Sequence, residues 1–289
     1  MRAFIHYQLQ IDFPEPARGL TQVLRLQPRG FDSQYVQDWF VGVEPDARLR
    51  RSEDAFGNIV HSCSHDGPLE RLTISAEGEI ETSDTAGVVA GQYEKFPLDI
   101  YLRDLDSTHA DARMREFLRD SLASEKDPLG RMHALMGILH DKFTFEPGET
   151  PAPRPAAEVF EAGKGSAREL AQVMVAAARE ENAPARFISG FFLGGATDSR
   201  HSAGGGGSEA GVAAAHHAWA EIFVDPIGWI GFDPALGYCP RDEHLRIAQG
   251  LDYYGAAPRR GASFGFAREE SVTRLTLDFA RQASWQAQQ

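Results

Sequence analysis

Apolar and polar residues alternate from the start of the chain: Ile5, Tyr7, Leu9 and Ile11 are separated by His6, Gln8 and Gln10. A period of two puts one set of side chains on a buried face and the other on a solvated one, which predicts a strand over Phe4–Asp12. Gln22–Gln27, Tyr35–Val43, Asn58–Ser64 and Leu69–Glu81 are further short runs, rich in β-branched or aromatic residues and bounded by turn formers. Asp54-Ala55-Phe56-Gly57-Asn58 predicts a hairpin turn in which Gly57 supplies a positive φ. Several such strands with no helical stretch between them predict a small antiparallel β-sandwich domain over residues 1–90.

Near Pro97 the period changes. Ala110–Ala123 and Leu129–Lys142 are predicted helices, the second with Met132, Leu135, Met136 and Leu139 at helical spacing. Phe143–Glu146 is a short extended piece before a loop, Pro147–Pro155, and helical signal resumes over Ser166–Glu181. Strands are predicted at Ala185–Leu193, Ala215–Val224 and Gly228–Phe232, then a loop-rich tail with a last strand at Ser271–Phe279. Gly194–Gly211 contains four consecutive glycines and is expected to be a mobile loop, either an insertion or a lid over a cleft. The pattern gives an α+β chain with a second domain over 91–289 and no internal repeat.

Composition narrows the partners. At 289 residues, 42% hydrophobic and 25% charged, the chain has the mix of a soluble globular protein. A formal charge of −13 makes nucleic acid and anionic membrane surfaces poor candidate partners. No apolar run reaches membrane-spanning length, and the alternating start is neither a signal peptide nor an anchor. The two cysteines, Cys63 and Cys239, sit in no CxxC or Cys/His metal spacing, which fits a reducing cytoplasm. His61, Cys63 and His65 share one strand face, but no fourth ligand accompanies them. Neither a metal nor a cofactor is therefore expected.

Three short motifs concentrate the chemistry. Gly163-Lys164-Gly165-Ser166-Ala167-Arg168-Glu169-Leu170-Ala171 is a glycine-rich turn running into a helix. Ala215-His216-His217-Ala218-Trp219-Ala220-Glu221-Ile222 is a strand, and Gly228-Trp229-Ile230-Gly231-Phe232-Asp233-Pro234 is a strand ending in an acid. Together they resemble the transglutaminase-like superfamily, whose core is similar to papain-type cysteine proteases. In that family the patterns are G-x-C-[RQ]-[DE]-x-A, [SH]-H-A-W-x-E and G-W-x-x-[FL]-D-P. The resemblance extends to residues 1–90, which look like the β domain preceding this core in many bacterial members. It implies a catalytic triad of a cysteine at position 167, His217 and Asp233, acting on a peptide or amide substrate through a thioester.

The cysteine position is occupied by Ala167. A thiol there would meet the positive end of the helix dipole and unpaired N–H groups, and a nearby histidine would stabilise its thiolate. The same N–H groups would help hold an oxyanion. An alanine methyl can neither ionise nor attack a carbonyl. Ser166 is explained by a capping box, S-x-x-E, with Glu169, so its hydroxyl is committed to the helix start. His217 shares a strand face with Trp219, Glu221 and Phe223, and His216 points to the other face. For Asp233 to orient His217, the hairpin joining the two strands must be odd, Asp225–Ile227, or bulged; an even loop would put Asp233 on the wrong face. Trp219, Phe145 and, beside its capping role, Ser166 are further candidates for substrate contact, with Trp229 and Thr150 behind them, and Arg168 with Glu169 reads as a surface pair.

The missing thiol leaves two readings. Either Ala167 is an inactivating replacement in a cysteine enzyme, or the chain is a natural pseudoenzyme that binds peptides or a protein partner in the cleft. Retention of His217, Asp233 and the helix start favours the first. So does the genetic code, because cysteine to alanine requires two base changes.

Overall fold

The computed structural model describes residues 1–279 except 93, 147–151, 195–208, 211–215 and 266–267, with backbone alone at 209–210 and 278–279. Thr150 and nearly all of Gly194–Gly211 lie outside the described residues.

The alternating N-terminal segments join into two very long strands. β1 (Arg2–Gln27) and β4 (Ile59–Thr82) run antiparallel over almost their whole lengths. Where breaks were expected, around Pro14–Pro16 and Asp66–Pro68, the ladder shifts register and resumes. Each strand therefore serves two sets of neighbours. β2 (Gln34–Glu44) and β14 (Glu270–Phe279) flank one half, and β3 (Arg50–Glu53) and β13 (Arg259–Phe264) flank the other. β9 (Glu209–Ala210) extends the sheet beyond β14. Strands from near both ends of the chain thus share one seven-stranded sheet. The predicted turn joins β3 to β4: Asp54 Oδ1 accepts from the Phe56 and Asn58 amides, and Gly57 adopts φ +85°.

A second antiparallel sheet has the order β12 (His244–Gly250), β8 (Ala185–Phe192), β10 (His217–Val224), β11 (Gly228–Phe232) and β5 (Val88–Val89). Short β6 (Thr144–Phe145) and β7 (Lys164–Gly165) pair in parallel. The helices are α1 (Ala112–Ser121), α2 (Pro128–Lys142), α3 (Ala156–Ala162), α4 (Ala167–Glu180) and α5 (Tyr253–Ala256). α4 packs on β8 and β10, with α1, α2 and α3 also against it. It is buried on nearly every side, and its run Ala176-Ala177-Ala178 lets sheet and helices approach closely. One apolar cluster runs from Ile5, Leu9 and Leu72 in the first sheet through α4 to Phe187, Ala218 and Phe232 in the second. No helix among the described residues is long and apolar enough to cross a membrane.

The elements that were not anticipated include β3, α3, β12 and β13. α3, at seven residues, is too short to show a period. β12, His-Leu-Arg-Ile-Ala-Gln-Gly, is buried throughout yet holds a histidine, an arginine and a glutamine, so neither alternation nor β-branching marks it.

Tertiary partners make β12 possible. At its free edge the side-chain amide of Gln34 donates to the Arg246 carbonyl and accepts from the Arg246 N–H, at 2.9 and 2.8 Å. Asn58 does the same for Gln249, at 2.7 and 2.8 Å. Two side chains from the first sheet's segment thus stand in for a missing strand and satisfy the edge. On its inner side the Arg246 guanidinium bonds Glu221, which also accepts from Arg186. All three are buried, and Arg186 additionally reaches Glu94 and lies 3.9 Å over the Trp229 ring.

Removing the shared carboxylate leaves the buried Arg246 guanidinium without its counter-charge and Arg186 with Glu94 alone. Glu221→Leu is expected to lower the unfolding free energy by about 3–5 kcal/mol in a urea titration. Replacing Arg186, Glu221 and Arg246 together by Met, Leu and Leu should recover most of that loss; a triple variant as unstable as the single one would contradict the assignment.

Candidate active site

The first residue of the site is set by helix capping. Ser166 is the N-cap of α4; its hydroxyl and backbone engage Glu169 in the predicted capping box. Glu169 does more than cap. It is buried and takes Arg154 as its ion partner, accepting from the Arg154 Nε at 2.8 Å and amide at 3.1 Å. The surface pair expected between Arg168 and Glu169 is thereby corrected: consecutive helix positions point in different directions, and Arg168 instead bonds the Tyr253 hydroxyl at 3.1 Å and lies over its ring. Burial alone would raise the Glu169 carboxyl, but the Arg154 bonds and the Ser166 amide hold it down to about 2. Ala167 follows the cap as the buried first residue of α4.

The second and third residues are set by strand register. Val224 pairs with Gly228 and Ala220 with Phe232, so the connection is the odd one, Asp225–Ile227. Asp233, one residue beyond Phe232, consequently reaches the face that carries His217, and its Oδ2 bonds His217 Nε2. A carboxylate can only accept, so that nitrogen carries the proton and Nδ1 is left as the basic atom of the ring. Oδ1 accepts from the amides of Ala235 and Leu236, at 3.0 and 3.1 Å. Desolvation would raise this fully buried carboxyl, but the facing imidazoles hold it well below the usual carboxylate range.

A fourth residue entered from β12, which sequence reasoning read as part of a loop. His244 Nε2 lies 3.1 Å from Asp233 Oδ2, and its Nδ1 accepts from the Arg241 amide at 3.2 Å. Its ring stands perpendicular to Trp219 at 5.3 Å. The motif patterns stop at Asp233, and nothing about an isolated His-Leu-Arg signals a partner.

A cavity of about 300 Å³ is lined by Arg168, His216, His217, Ser189, Tyr7 and Tyr253, among others. Ala167's immediate neighbour and His217 therefore border one space, together with Tyr7 from the first sheet. The two histidines do lie on opposite sides, His217 beside Phe192 and His216 beside Phe191, and the cavity reaches both. His216 is engaged by the Tyr7 hydroxyl at 2.9 Å, and burial, with the Arg168 charge nearby, pushes it down to about 3.

The remaining candidates fall elsewhere. Trp219 is buried beside the imidazoles of His217 and His244 and does not line that cavity. Trp229 packs on Arg186, Tyr101 and Phe223. Phe145 is exposed on β6, opposite Gly165, two residues before Ala167. Cys63 is buried in β4 and Cys239 is partly buried, both as free thiols; burial pushes Cys239 up to about 11. Among the described residues, His217, Asp233 and His244 are the one group of His, Cys, Asp or Glu close enough to share an ion, and His61, Cys63 and His65 form no such group.

Residues 115–234 match the Transglutaminase-like superfamily, and residues 4–81 match the Bacterial transglutaminase-like N-terminal region. The chain carries a transglutaminase-like core preceded by a bacterial transglutaminase-like N-terminal region. Uncharacterized proteins of Mycobacterium tuberculosis and Mycobacterium bovis are each 24% identical to this chain over 245 residues, covering 78% of this chain and 76% of theirs. A candidate cysteine protease from Cytophaga hutchinsonii shares the fold, with a TM-score of 0.71 at 15% identity over 96% of this chain and 98% of that one. The superfamily's mixed α+β core, with a β region before it, is the architecture described above.

Burial of neutral His216 couples folding to pH. Above pH about 6.5 both states leave this ring unprotonated; as pH falls from there toward about 3, the unfolded chain takes up a proton that the folded one refuses. The thermal unfolding midpoint of this transglutaminase-like protein should therefore decline between about pH 7 and pH 5. Buried His61, also pushed down by desolvation, acts with the same sign. Depressed Asp233 and Glu169 lose their contribution only as pH drops below their ordinary values of 3.8 and 4.5. His216→Gln should flatten the slope in the upper window, and an unchanged slope would show that another group carries it.

Proposed function

We propose that this chain carries the acyl-transfer site of a cysteine hydrolase or acyltransferase acting on peptide or amide bonds, with Ala167 at the position of the nucleophilic cysteine. The observation that carries the reading is that His217, bonded to Asp233 behind it, borders the same cavity as Arg168, the residue after Ala167 at the start of α4. A thiol at 167 would sit among the uncapped N–H groups of the first helical turn, where a thiolate is favoured. His217, its Nε2 proton held by Asp233, would take the thiol proton on Nδ1 and return it to the leaving amine. The resulting thioester would be released by water or by an amine. Water is favoured, because transfer to an amine requires a site that excludes the solvent itself.

As it stands the chain lacks the reactive atom and is inactive in this chemistry; the proposal takes Ala167 as an inactivating replacement. The cavity itself favours a second reading, a natural pseudoenzyme that binds a peptide or protein partner in the cleft. An alanine codon in the source gene would establish the second reading against the first. Cys63 and Cys239, both free, support the cytoplasm as the compartment.

Ala167→Cys should yield a thiol that iodoacetamide alkylates about tenfold or more faster than free cysteine near neutral pH. Adding His217→Asn should remove most of that excess. A thiol at 167 that reacts no faster than free cysteine would overturn the proposal.

A further inference from the structure

The Asp233 carboxylate accepts four hydrogen bonds, and the motif accounts for only one of the two imidazoles among them. Oδ1 is filled by the Ala235 and Leu236 amides, while Oδ2 meets both His217 Nε2 and His244 Nε2. The Arg241 N–H points at His244 Nδ1, so that nitrogen must present a lone pair and the ring proton sits on Nε2, facing the carboxylate. His244 is thus a neutral donor, oriented from both ends. Phe192, Trp219 and Tyr238 enclose its ring at 5.2, 5.3 and 5.9 Å.

Two imidazoles and a carboxylate with donor atoms within 4.8 Å of one another also have the outline of a metal site. Ligation through His244 Nε2 would require its proton to move to Nδ1, against the Arg241 amide. That amide decides between the two roles.

We propose that His244 is a positioning residue: by donating to Asp233 it locks the carboxylate in place and shares its negative charge, which limits how strongly Asp233 favours the imidazolium form of His217. The inference deepens the acyl-transfer reading and rests on it for its functional meaning. Its physical content is independent of a thiol. With the His244 donor gone, Oδ2 would serve His217 alone, and the carboxylate would hold a proton on that ring more firmly. The other charged or titratable groups near the pair stay the same in both cases. They are His216 and Arg168 on the cavity side, and Tyr238, Cys239, Arg241 and Glu243 along the loop into β12. Glu221 and Arg246 further along β10 and β12 are already paired with each other.

The test is long-range ¹H–¹⁵N NMR of the histidine rings in the unsubstituted chain and in two variants. His244 should appear as the Nε2–H tautomer, with signals unmoved by added zinc. His244→Phe, which keeps a ring and loses the donor, should move the midpoint of the His217 titration upward by about one pH unit. His244→Gln, whose amide can still reach Oδ2, should leave it within about 0.3 unit. The proposal is overturned by an Nδ1–H tautomer, by zinc displacing the His244 signals, by an unchanged midpoint in a folded Phe variant, or by Gln and Phe variants that shift alike. If the Phe variant does not fold, the tautomer in the unsubstituted chain decides alone. A sluggish thiol in Ala167→Cys would sink the acyl-transfer reading and leave these ring measurements standing.

Discussion

The parity of one turn governs the site. Strand side chains alternate, so the number of residues between β10 and β11 determines whether the acid after Phe232 shares a face with His217 or points away from it. Asp225-Pro226-Ile227 makes that number three, and Gly228 begins the return strand at φ +105°, where other residues would be strained. One residue more or fewer would put Asp233 on the other face. His217 would then lose its orienting bond and His244 its acceptor. Everything at this end of the second sheet, including the loop from Ala235 to Arg241, is arranged around that carboxylate.

A carboxylate this deeply buried is costly unless its bonds are complete, and the surrounding structure completes them with two backbone amides and two rings. The same economy holds further along the sheet, where Glu221 is shared by Arg186 and Arg246. Neither cluster could form from one strand alone. β12 supplies His244 and Arg246, and its own edge is satisfied by Gln34 and Asn58 from the first sheet's segment. The first sheet therefore supports the site mechanically: it holds the strand that delivers the second imidazole, and through Tyr7 it also borders the cavity.

The helix end of the site follows from local rules. Ser166 and Glu169 close the capping box, Arg154 neutralises the glutamate, and residue 167 is left at the helix mouth with no competing polar group of its own. Under the proposed function this end concentrates positive potential where a thiolate would form, while Asp233 stabilises the imidazolium at the other end.

Much of this was legible in the residues. Period-two and helical spacing located the long strands of the first sheet, α2 and α4; S-x-x-E predicted the cap; and the need for Asp233 to reach His217 predicted an odd hairpin or a bulge, of which the odd hairpin is found. These features depend on neighbours close in sequence, whose geometry is restricted by backbone sterics and hydrogen bonding alone. Tertiary contact decided the rest. The long strands stayed continuous through their proline-containing interruptions because each had a partner of nearly equal length. Glu169 chose Arg154, fifteen residues away, over adjacent Arg168. β12 became a buried strand, and His244 a donor to Asp233, only because Gln34, Asn58 and Glu221 were there to satisfy its polar groups. A segment's own composition cannot reveal partners contributed from two hundred residues away.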